Sequence, residues 1–247
     1  MSAKAPVVVS AFHSPKMQDR LIVALDVPNA SEARELVQCL GEVVGVYKVG
    51  LQLFTTEGPG LVRELVHSGK RVFLDLKLHD IPNTVSHAVK AAAELGASML
   101  TVHASGGTAV LQAAVEASGG RLTVLAVTVL TSLNDQDLTE VGFSGRSSDQ
   151  VLRLATLAKN AGCRGVVASP LEARRLRESL GDALTIVTPG VRPAGSGKND
   201  QQRTATPGEA ISNGASYIVV GRPITHAADP AQAALAIIAE MEQNRNQ

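Results

Sequence analysis

From residue 21 onward, short apolar runs alternate with stretches in which apolar residues recur every three or four positions. The first run is LIVALDV, residues 21–27. Asn29 with Glu32 three residues later reads as a capping box, and Ala33, Leu36, Val37 and Leu40 keep helical spacing up to a stop at Gly41. The same signals predict further strands at 45–49, 72–78, 99–103, 122–130, 165–168, 184–188 and 217–221. Helices are expected at 59–67, from about 83, at 109–117, 149–161 and 171–180, after Thr206-Pro207 with Glu209, and from 229 to about 242. A long irregular segment separates the fifth strand from its helix. Residues 1–18 show no periodicity and read as an N-terminal extension to one domain spanning 19–247.

This is eight βα units in unbroken alternation. The strands are near-continuous apolar runs, as when both faces are buried, and repeated βαβ units force parallel strands with right-handed crossovers. The expected fold is α/β, a (β/α)8 TIM barrel with eight parallel strands. A doubly wound open sheet is the competing arrangement, and the lack of GxGxxG after the first strand counts against it.

Charge inside an apolar run changes the picture. In RVFLDLKLHDIPNTV, residues 71–85, strict alternation puts Val72, Leu74, Leu76 and Leu78 on the helix-facing side. Asp75 and Lys77 then point into the barrel near the C-terminal end of the strand, where such barrels keep their active sites. Asp80 follows in the loop. A buried ion pair plugging the barrel is the structural alternative, but burying ions costs several kcal/mol each, so charge kept there favours a functional role. Asp26, Lys48 and His103 sit at three other strand ends.

The last two strands carry a second constellation. One ends in TPGVR (188–192) and leads into a long Gly-rich loop, and the other ends in Val220-Gly221-Arg222. Glycines let backbone N–H groups approach an anion and a guanidinium matches its oxygens, so these loops are a candidate phosphate site. A turn with a surface cation is the plainer reading of Gly221-Arg222.

Composition narrows the classes. Lys plus Arg and Asp plus Glu are 23 each, which argues against a general nucleic-acid binder, and aromatics at 2% argue against stacking on single strands. No stretch approaches the roughly 18 apolar residues of a membrane span. Cys39 and Cys163 are far apart, so a reducing compartment and a soluble cytoplasmic protein are expected. His13, His67, His79, His87, His103 and His226 show no convincing metal-ligand spacing.

Taken together, LIVALDV, YKVG, DLKLHDIPNT, AVTVLTS, TPGVRP, DQQR and VVGRPIT resemble the orotidine 5′-phosphate decarboxylases, from about residue 21 to 225. The resemblance implies decarboxylation of orotidine 5′-monophosphate to uridine 5′-monophosphate without cofactor or metal. By the same resemblance Lys77 is the catalytic lysine and proton donor, within an alternating array of Lys48, Asp75, Lys77 and Asp80. Asp26 and Lys48 match ribose contacts, and Thr131 and Ser132 match the region near the pyrimidine. Arg192, Gln201, Gly221 and Arg222 match the phosphate end and its closing loop. Asp80 and Thr84 match residues that reach a neighbouring subunit's site, which implies a homodimer. Related barrel enzymes acting on sugar phosphates, usually with Mg²⁺, share the shorter DxKxxD pattern and remain an alternative. So does a phosphate-ligand sensor without turnover.

Overall fold

The computed structural model describes residues 16–193 and 205–243. Eight strands close in sequence order into a parallel barrel: β1 (Leu21–Ala24), β2 (Val46–Gly50), β3 (Arg71–Leu78), β4 (Met99–His103), β5 (Thr123–Val127), β6 (Gly165–Val167), β7 (Thr185–Thr188) and β8 (Tyr217–Val220). β1 pairs with β2 on one side and with β8 on the other, so no edge is left open and the open-sheet alternative falls.

Alternation along the strands divides the core in two. Leu21, Val23, Tyr47, Val49, Val72, Leu74, Leu100 and Val102 face outward into the large cluster shared with the helices. Ile22, Ala24, Val46, Phe73, Met99, Leu125, Val187 and Val219 face inward and fill the barrel. Gly165 is required on β6, because a Cβ there would lie 2.6 Å from Leu125 Cδ2 and 2.8 Å from the Thr185 carbonyl oxygen. Before β1, a 3-10 turn at Met17–Arg20 buries Met17 in the outer cluster.

Several expected boundaries shift. β1 ends at Ala24 and β5 at Val127, short of the apolar runs that announced them. Beyond those ends the chain leaves the ladder but stays attached. Leu25 N–H bonds the Lys48 carbonyl at 2.9 Å, and the Thr128 hydroxyl donates to the Val167 carbonyl at 2.8 Å. Three short helices were not expected, at Leu51–Glu57, Asp135–Glu140 and Arg222–Thr225. The second lies in the stretch that reads as irregular, and its signal was present: Asn134 and Asp137 form both halves of a capping box. Thr206 and Glu209 do the same for Pro207–Ser212, as expected. Asn29 forms only half of its box. It accepts from Glu32 N–H, while the Glu32 carboxylate takes the Asn29 side-chain amide instead of its backbone N–H.

Candidate active site

The C-terminal ends of the strands surround a cavity of about 560 Å³, within the range of small-molecule sites. Asp26, Lys48, Asp75 and Lys77 line one wall, and Thr131, Ser132, Arg192, Gly221 and Arg222 line the rest together with apolar side chains. Nine of the expected site residues thus share one cavity.

The charged wall is a connected chain. Lys48 is nearly buried, and its Nζ donates to Asp26 Oδ1 at 2.8 Å and lies 3.9 Å from Asp75 Oδ2. Lys77 Nζ donates to both Asp75 oxygens at 2.9 Å. Asp26 stands two residues beyond β1, at the exposed end of the chain. Gly50, paired with Asp75 across β2 and β3, makes room for it: a Cβ there would fall 2.9 Å from Lys48 Nζ. The wall holds two charges of each sign, which limits the cost of removing them from water.

Lys77 reaches this position by an unexpected route. Strict alternation would keep β3 regular, yet its pairing with β4 slips between Leu74 and Leu78. Leu74 pairs with Leu100 and Leu78 with Val102, so Asp75, Leu76 and Lys77 stand opposite Thr101 alone. Lys77 takes φ = 49°, the one positive φ outside glycine among the described residues. Such a backbone costs about 1–3 kcal/mol and collects at functional sites. Leu76 and Leu78 still pack on the outer core, as expected.

Thr101 was missed by the sequence reading. It is fully buried, and its hydroxyl accepts from Lys77 N–H at 2.8 Å and donates to Asp75 Oδ1 at 2.9 Å. A threonine in an apolar strand gives no sequence signal of this. His226 on the cavity wall was also missed. His103 lies nearby with its ring 5.2 Å from that of His79. Burial, then the neighbouring His79 and Lys77, hold its pKa below the usual value against a smaller upward pull from Asp75.

Two expected residues stand apart. Asp80 and Thr84 are exposed and do not line this cavity, and Asp80 Oδ1 accepts from Ile81 N–H. Gln201 lies outside the described residues. Among the described residues, no three His, Cys, Asp or Glu side chains gather as a metal-ligand set, and no helix is long and apolar enough to cross a membrane.

A closed parallel barrel with a charged cavity at the C-terminal ends of its strands is the architecture of a (β/α)8-barrel enzyme. The chain belongs to the orotidine 5′-phosphate decarboxylase / HUMPS family, whose family model matches residues 19–237. The orotidine 5′-phosphate decarboxylase of Moorella thermoacetica is 52% identical over 234 residues, covering 91% of this chain and 93% of that one. That of Rhodopseudomonas palustris is 52% identical over 230 residues, covering 93% and 97%. The crystal structure of the Lactobacillus acidophilus orotidine 5′-phosphate decarboxylase superposes with a TM-score of 0.81 at 41% identity, over 90% of this chain and 99% of that one. These relatives make the chain a carboxy-lyase of pyrimidine biosynthesis.

Proposed function

We propose that this carboxy-lyase converts orotidine 5′-monophosphate to uridine 5′-monophosphate and CO2 without a cofactor, with Lys77 as the proton donor. The observation that carries the reading is the Lys77 ammonium on the cavity wall, held by both oxygens of Asp75 at 2.9 Å. Breaking the bond between C6 and the carboxylate leaves the electron pair on C6, in the ring plane, where the π system delocalises it poorly. An ammonium aimed at that carbon stabilises the developing charge and then delivers a proton to it. The product is uridine 5′-monophosphate, and neutral Lys77 regains its proton from water.

Asp75 places Lys77, because both of its carboxylate oxygens accept from the Lys77 Nζ at 2.9 Å. Its own negative charge also opposes the substrate carboxylate and favours its departure. Lys48 and Asp26 meet the ribose, and Thr131 and Ser132 the pyrimidine. Arg192, Gly221 and Arg222 take the phosphate, far enough from C6 that its binding energy can be spent on assembling the site. The closing role expected of Gln201 belongs to the same reading. Asp80 and Thr84 are assigned to the neighbouring site of a homodimer. Their exposure, in an unbroken exposed run from His79 to Thr84, supports this. A cytoplasmic location completes the proposal.

The test is a spectrophotometric decarboxylation assay with chelator present, on wild type and Lys77→Ala. Wild-type turnover is expected to survive chelation. Lys77→Ala is expected to lose about 10³-fold or more in kcat while still binding uridine 5′-monophosphate. Near-normal turnover in the variant overturns the role of Lys77. Loss of wild-type activity on chelation overturns the cofactor-free reading.

A further inference from the structure

Thr101 faces inward on β4, one step above Met99 in the apolar filling of the barrel. It is buried and does not line the cavity, so it does not meet the substrate. Its neighbours explain its presence. Three residues of β3 stand opposite it where a regular ladder would place one. The Lys77 N–H bonds the Thr101 hydroxyl instead of a β4 carbonyl. That hydroxyl has one proton to give, and an ionised carboxylate only accepts, so the proton goes to Asp75 Oδ1. One buried hydroxyl therefore ties the backbone of Lys77 to the side chain of Asp75, the group that holds the Lys77 ammonium.

We infer that Thr101 is a positioning residue for the Lys77–Asp75 pair: it holds the positive-φ backbone of Lys77 and the orientation of the Asp75 carboxylate together. The inference rests on the proposed role of Lys77. Thr101 acts on the reacting lysine twice, through its backbone and through its counter-ion. A loosened grip displaces the ammonium while the phosphate and ribose contacts, on other strands, stay in place.

Thr101→Val keeps the shape and removes the hydroxyl, and Thr101→Ser keeps the hydroxyl and removes the methyl. Thr101→Val is expected to lower kcat about 10- to 100-fold, with KM and the affinity for uridine 5′-monophosphate within about threefold of wild type. Thr101→Ser is expected to stay within about threefold in kcat. Hydrogen exchange at the Lys77 amide reads the same bond without substrate. It should quicken by about tenfold or more in Thr101→Val and stay slow in Thr101→Ser. If Thr101→Val does not fold, Thr101→Ala, which also lacks the hydroxyl without adding bulk, is read in its place.

Turnover within twofold of wild type in the variant without the hydroxyl overturns the inference. So does a loss in Thr101→Ser as large as in Thr101→Val, which would mean packing alone. Absence of decarboxylation by wild type overturns the proposed function instead, and the exchange rates then still decide whether Thr101 holds Lys77.

Discussion

The barrel interior changes character within two residues. Its filling, built from Ile22, Val46, Phe73, Met99 and Leu125, is wholly apolar. One step toward the C-terminal ends the same inward direction carries Lys48 on β2, Asp75 on β3 and Thr101 on β4, while on β5 it carries Val127. The difference shows how the fold separates two tasks along one axis. The lower layer excludes water and holds the strands together by burial, and the upper layer spends that rigidity on fixed charges. Around the rim charge is divided too, with the connected ion pairs on the β1–β3 side and, from β5 to β8, apolar Val127, Val167 and Pro189 beside the cations Arg192 and Arg222.

Substitutions in the two layers should therefore give opposite signatures. Lys77→Ala, with the largest expected effect, should abolish most turnover yet change unfolding free energy by less than about 1 kcal/mol. The Lys77 side chain is partly exposed, at 39%, and Asp75 retains Thr101 and Lys48. A thermal melt beside the assay checks it, and a collapse in Tm would merge the two layers. Leu125→Ala, in the filling, should cost about 2–5 kcal/mol while the folded fraction keeps turnover within about twofold, read by urea unfolding and activity at low temperature. A loss of activity in the folded molecules would break the separation.

Gly50→Ala probes the boundary between the layers. Its backbone, at φ = −89° and ψ = 178°, suits alanine, but the added carbon would push on the Lys48 ammonium. We expect about tenfold lower kcat/KM with Tm nearly unchanged, and an unaltered kcat/KM would show that Lys48 is not held tightly.

The smallest effect concerns His103. Its folded pKa lies below the unfolded value of 6.5, so between the two the unfolded chain binds more protons. Its contribution to stability is full above pH 6.5 and is lost as pH falls through the folded value. His103→Gln should make the fall in Tm from about pH 7.5 to about pH 5.5 shallower than in wild type, and a steeper fall would reverse the sign.

The barrel was legible because its eight units obey two periodicities, and the inner and outer faces of β1 to β4 follow them closely. The charged wall was legible because Lys48, Asp75 and Lys77 interrupt apolar runs. Lys77 departs from its pattern, however. Alternation aims it inward on a regular strand, whereas the chain gets there through a slipped register and a left-handed residue. That slip depends on which β4 residue offers a side-chain acceptor, a pairing between residues 24 apart in sequence, and local patterns do not carry it. The short helix at Asp135–Glu140 was missed for a different reason. Its cap was visible, but six residues are too few to establish a period.

The slip on β3 also bears on how such a site could be moved. Eight repeating units approximate rotational symmetry, under which any strand could host the chemistry. The three-against-one pairing of Asp75, Leu76 and Lys77 with Thr101 breaks that symmetry at one place. Transplanting Asp75 and Lys77 onto a regular strand of another barrel would carry the letters but lose the address. The smallest portable unit is the β3–β4 pair, with the buried hydroxyl included.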